Sequence, residues 1–109
     1  MKTLAFLSLF TVCSAFAGDL SSALKSEFEA NQKASCAVVS KSSDVFSVYC
    51  ENQNKVGTFT VEVKNDVLVG EGTSWLKGTR HQAECDVEGT VSENVVTNLE
   101  VSCLHSLRP

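Results

Sequence analysis

The chain has 109 residues, with 13 Asp and Glu against 9 Lys and Arg, five cysteines, one tryptophan and one proline. A net charge of −4, with the cations scattered singly, excludes the clustered Lys and Arg that displace counterions from nucleic acid and excludes a basic membrane-surface helix. A domain this small buries only about 60–65% of its unfolded surface, so covalent staples are expected.

The first 17 residues read as a cleavable secretory signal peptide. Met1-Lys2-Thr3 supplies the positive n-region, Leu4 to Val12 the apolar h-region, and Ala15-Phe16-Ala17 the small-x-small pattern recognised before Gly18. A membrane span takes roughly 20 apolar residues, and this run is shorter and interrupted by Ser8, Thr11 and Ser14. No transmembrane anchor is therefore expected. Lipidation at Cys13 is the alternative processing, but Val12 is not the small residue it requires. The expected domains are 1–17 as signal peptide and 18–109 as a single small β-rich domain, secreted or periplasmic after cleavage following Ala17. Loss of Lys2 leaves eight cations against 13 acids, a net charge of −5.

After the cleavage site, Leu20, Ala23, Leu24, Glu27 and Phe28 lie at helical spacing, which predicts an amphipathic helix over Asp19 to Lys33. Asp19 or Ser21 suits its N-cap, and Lys33 suits the dipole at its C-terminus. From Ser35 the period changes to two. A Ser-Ser-Asp turn between Cys36–Ser40 and Asp44–Cys50 pairs Val38 with Val48 and sets Cys36 opposite Cys50. Gly57 to Lys64 alternates Phe59, Val61 and Val63 against Thr58, Thr60 and Glu62, and Asn65-Asp66 turns into Val67 to Val69. Three glycines between Gly70 and Gly78, around Trp75, predict a loop or irregular edge there.

Thr79 to Gly89 places His81, Ala83, Cys85 and Val87 on one face and Arg80, Gln82, Glu84, Asp86 and Glu88 on the other. A turn near Ser92 to Asn94 leads to Val95–Leu104, with Val95, Thr97, Leu99, Val101 and Cys103 on the matching side. If residue 94 centres the turn, Cys85 falls opposite Cys103. The cysteines are thus read as two hairpin disulfides, Cys36–Cys50 and Cys85–Cys103, each worth about 3 kcal/mol in the chain-entropy model. Spacing alone leaves the other two connectivities open. The fold class is α+β: one N-terminal amphipathic helix followed by about six short antiparallel strands, as a meander sheet or a small barrel, with two disulfides.

No C-x-x-C, phosphate loop or calcium loop is present. His81 and His105 are the only histidines, and His81 reads as a partly buried structural side chain. In a strand, Glu84 points away from His81 and Cys85, so the three cannot close on one metal ion. Glu84, Asp86 and Glu88 form an acidic row of the kind usual on a solvent face. Trp75 on a glycine-flanked loop suits an interface anchor, and burial as a lid on a small core suits it equally.

The outline is similar to that of exported cystatins, but their Gln-x-Val-x-Gly loop and the strand before their helix are missing. Tyr49-Cys50-Glu51-Asn52 resembles the opening strand of small periplasmic lysozyme inhibitors, whose Ser-Gly-x-Gly inhibitory loop is missing too. No family is assigned on these grounds. The sequence is read as a small exported non-enzymatic binding module, an inhibitor or an envelope or surface interaction protein. Its partner is another protein, its contact residues are Gly72, Trp75, Leu76 and Lys77, and no cofactor or metal is implied. The alternative is a small exported hydrolase using His81 with a strand-face carboxylate.

Overall fold

A computed structural model describes residues 8–106, and side-chain surroundings from residue 20 to residue 104. The n-region of the expected signal peptide lies outside the described residues. Helix α1 (Ser8–Gln32) is followed by six strands: β1 (Ser35–Ser40), β2 (Val45–Glu51), β3 (Lys55–Lys64), β4 (Val67–Leu76), β5 (Gln82–Ser92) and β6 (Val95–Ser106). They form one antiparallel sheet in the order β1-β2-β3-β4-β5-β6. The sheet is open, so the meander form holds and a closed barrel does not.

Among the described residues the helix runs from Ser8, so Asp19 and Ser21 lie inside it rather than at its N-terminus. Leu, Phe and Ala between residues 8 and 17 are good or tolerable helix formers, and Gly18 costs only about 1 kcal/mol relative to alanine, too little to stop the helix. It does end where expected. Lys33 adopts the left-handed conformation with φ 54°, and its N–H donates to the Glu29 carbonyl at 2.8 Å, with the Ala34 N–H reaching the same oxygen at 3.4 Å, an αL-type C-cap. No helix among the described residues is long and apolar enough to cross a membrane.

Leu24 and Phe28 are fully buried against Phe46, Val48, Phe59, Val61, Leu68, Val87 and the cysteines. The helix touches β1 and β2 at one side of the sheet and β6 at the other. One helix reaches both edges of a six-stranded sheet only if the sheet curls around it. Two glycines of β4 permit that curl. A Cβ on Gly72 would press on the Thr58 carbonyl and stand 2.7 Å from the Phe59 ring, and one on Gly70 would meet the Thr60 carbonyl and Val61. The expected loop at Gly70–Gly78 is therefore a strand as far as Leu76, paired on both sides with β3 and β5. Its glycines mark close backbone approach rather than irregularity.

Both disulfides form as expected, Cys36–Cys50 and Cys85–Cys103, with Cα–Cα distances of 4.1 and 4.0 Å. Directly opposed residues this close belong to non-hydrogen-bonded pairs, so the Cys36 N–H points off the edge of β1. Glu29 accepts it at 3.0 Å and is itself held by Lys25 at 3.0 Å. The helix thus covers one exposed donor of the β1 edge.

The last hairpin departs from simple alternation. Its turn, Glu93-Asn94, has both residues at positive φ, like Asn65-Asp66 in the third hairpin. A two-residue turn between Ser92 and Val95 would by itself set Cys85 opposite Ser102. Asn98, at φ 55°, is an extra residue in β6 that shifts the register between Glu88 and Thr90 and brings Cys103 opposite Cys85. Before the bulge the faces are exchanged relative to expectation: Val96 is buried at 4% while Val95 is 55% exposed.

Two expectations follow. Deleting Asn98 moves Cys103 to the wrong side of the ladder, and thiol titration of the unfolded oxidised protein then finds two reactive thiols where the parent has none from this pair. Glu29 is held below the usual carboxylate range by the Cys36 N–H first and by Lys25 next. A depressed carboxylate contributes stability above its unfolded pKa, and that contribution is lost as pH falls through the folded value. Glu29→Gln therefore flattens the fall in Tm on acidification below about pH 4.5 and lowers Tm little at pH 3.

Candidate functional site

Alternation along the strands divides the sheet into an inner face against the helix and an outer face free of it. Across the outer face, Glu51, Val56, Trp75 and Gln82 stand in one row, and Tyr49, Thr58, Thr73 and Glu84 in the next. Val56 is only 7% exposed although it lies on this helix-free side, directly opposite Trp75. Trp75 is half-buried. It is neither a side chain displayed on a loop nor a lid on the main core, but part of a small apolar cluster on the outer face.

Of the four residues expected to form one contact region, Trp75, Leu76 and Lys77 lie together at the end of β4 and Gly72 lies further back along the strand. That glycine stands in mid-strand opposite Phe59 and Cys85, where a Cβ would press on the Thr58 carbonyl. Leu76 ends β4 and is 41% exposed, and Lys77 begins the turn into β5. The Lys77 N–H donates to the Asn54 carbonyl at 2.8 Å, joining the β4–β5 turn to the β2–β3 turn. In the latter, Asn52 Oδ1 accepts from the backbone of Asn54 and Lys55 at 2.8 and 2.9 Å while its Nδ2 donates to Lys33 O at 3.2 Å. The end of the helix and both turns are thereby held together.

Beside them stand Tyr49 and Glu51, which the sequence reading did not include in the contact region. Tyr49 is 44% exposed, and its hydroxyl donates to Glu51 at 3.2 Å. Lys77 pairs with the same carboxylate at 2.6 Å. Lys77 and then Tyr49 hold Glu51 below the usual carboxylate range, while partial desolvation, followed by the Glu51 carboxylate, raises the Tyr49 phenol. A shallow hollow of about 490 Å³ opens here between Ala37, Tyr49, Glu51, Gln53 and Lys77. The signal available in sequence was Tyr49 falling on the wet side of β2's alternation.

His81 is exposed, not partly buried, because β5 begins at Gln82 and the turn over 77–80 leaves His81 at its mouth. The side chain of Thr79 forms this turn by donating to Leu76 O at 2.9 Å and accepting the His81 N–H at 3.1 Å. The His81 imidazole has no hydrogen-bond partner among the described residues, and no group of three or more metal-ligating side chains occurs among them. Glu84, Asp86 and Glu88 do share the outer face. The ladder sets Glu71 directly opposite Asp86 and Glu88 directly opposite Glu100. Comparison with protein-family models, curated proteins and solved structures finds no match to the chain.

Like charges facing each other across a ladder destabilise it by roughly 0.2–1 kcal/mol. Glu71→Lys places a cation between Asp86 and Glu62's strand, so Tm is expected to rise by a degree or more in low-salt buffer and by less in high salt. A calorimetric scan of both proteins at two ionic strengths measures it.

Proposed function

We propose that the chain is an exported non-enzymatic protein-binding module, an inhibitor or a surface-interaction protein. It presents Tyr49, Trp75, Leu76 and Lys77 to its partner. The observation that carries this reading is the concentration of partly exposed Tyr49, Trp75 and Leu76 at one end of the sheet, where hydrogen bonds from Asn52 and Lys77 hold both supporting turns. Tyr and Trp combine large contact area with a polar tip and few rotatable bonds, which suits them to interface anchors. The Glu51–Lys77 pair adds a preformed charged rim. Export is supported by the pattern from Met1 to Ala17 and by two disulfides, which persist in oxidising compartments.

The test compares two double variants of the oxidised protein in chemical cross-linking to a native secretion or envelope extract. Tyr49→Ser with Leu76→Ser is expected to abolish a specific adduct. Val67→Ser with Val69→Ser removes apolar side chains of 47% and 42% exposure from the far end of β4 and is expected to retain it. Equal adduct yields from the two variants sink the assignment of the contact surface.

A further inference from the structure

On the inner face, next to the same pair of turns, a hollow of about 230 Å³ is lined by Lys55, Ser74, Trp75, Leu76, His81 and Cys103. Its origin lies in the strand register. Gly57, Ser74 and Ala83 stand side by side across β3, β4 and β5, three small residues in a layer where larger side chains would fill the space. The helix backbone runs close to β1, β2 and β6 and further from the three central strands, which it reaches through Leu24 and Phe28. The Phe59 ring leans over Gly57, 2.9 Å from where a Cβ would stand, and so does not reach further into the layer.

The chemistry of the lining is selective. Leu76 and Cys103 give apolar walls, Trp75, which the ladder sets on the outer face, borders the rim, and Ser74 and His81 add polar atoms. Lys55 brings a cation that, unlike Lys25 and Lys77, has no ion-pair partner among the described residues. No acidic residue lines the hollow. Glu71, Glu84, Asp86, Glu88 and Glu100 all lie on the opposite face of the sheet, so the backbone layer separates the acids from this cavity. An apolar hollow carrying one uncompensated ammonium favours an anion that brings its own apolar body.

We propose that this hollow binds a small monocarboxylate with a compact apolar group, the carboxylate held by Lys55 with Ser74 and His81 as further donors and the apolar group against Leu76 and Cys103, with Trp75 at the rim. The hollow shares Trp75 and Leu76 with the contact surface proposed above, but Lys55, Ser74, His81 and Cys103 belong to it alone, and a small-ligand titration tests it without any protein partner. Because Trp75 is the chain's only tryptophan, its emission reports occupancy directly.

The oxidised protein is titrated with phenylacetate and hexanoate, and with the neutral phenylacetamide and hexanamide. Saturable changes in Trp75 emission are expected for both acids, with dissociation constants about ten-fold or more below those of the matching amides, the ratio a charge-assisted hydrogen bond supplies. Lys55→Met should remove that preference and leave amide binding unchanged, while Lys41→Met, in the β1–β2 turn, should retain it. Amide NMR of the unsubstituted protein provides a readout that requires no variant: phenylacetate should shift Ser74, Leu76 and His81 most. Absence of saturation by either acid, equal constants for acids and amides, a preference that survives Lys55→Met, or largest shifts on Glu84 to Glu88 would each overturn the proposal.

Discussion

The contact between Phe28 of the helix and Phe59 of β3 is the constraint on which the arrangement of the sheet depends. Their ring centroids lie 5.2 Å apart at an interplanar angle of 37°, an offset aromatic geometry. Phe59 can lie down toward the helix only because Gly57 and Gly72 on either side have no Cβ. The same absence lets β4 approach β3 closely enough to curl. From that curl follow the enclosure of Leu24 and Phe28, the meeting of one helix with both outer strands, and the space left beside Ser74 and Ala83. A flat sheet of these six strands would offer the helix one face and leave its far edges uncovered.

The curled sheet also works as a partition. Its inner face carries the aliphatic core and both disulfides, and its outer face over β4, β5 and β6 carries five carboxylates with like charges set opposite one another. Core burial tolerates this repulsion because exposed charges are screened by water and salt, whereas the same carboxylates turned inward would face a desolvation cost of several kcal/mol each. Polarity therefore changes over the thickness of a single sheet. The end bearing Tyr49, Trp75 and Lys77 is the region where this division relaxes, and apolar side chains appear on the outer face beside an ion pair.

Features governed by local spacing were legible in the sequence. The pairing of Cys36 with Cys50 follows from a period of two on both sides of one turn, and Asn65-Asp66 announces its turn through residues that tolerate positive φ. Cys85 and Cys103 were also matched, although the construction differs: a two-residue turn plus the Asn98 bulge takes the place of a turn centred on residue 94. What sequence could not supply came from distant partners. Gly70 and Gly72 read locally as strand breakers, and only Phe59, Thr58 and Thr60 on the neighbouring strand explain them. The same holds for the candidate site. Trp75 stood out as the single tryptophan, but its pairing opposite Val56 and the role of Tyr49 and Glu51 depend on strand neighbours that no local pattern encodes.

The two disulfides join each outermost strand to its inner neighbour and leave β3 and β4 without a covalent cross-link. This has a mechanical consequence. When tension is applied to the two ends of the chain, the load passes from Cys36 directly to Cys50 and from Cys85 directly to Cys103. The intervening segments, 37–49 and 86–102, are shielded and add nothing to the extended length. Extension is drawn from the helix, from β3 and β4, and from the turns that join them. The protein thus behaves under force as a short elastic element between two inextensible clasps, and its weakest seam is the ladder that its glycines allow to curl.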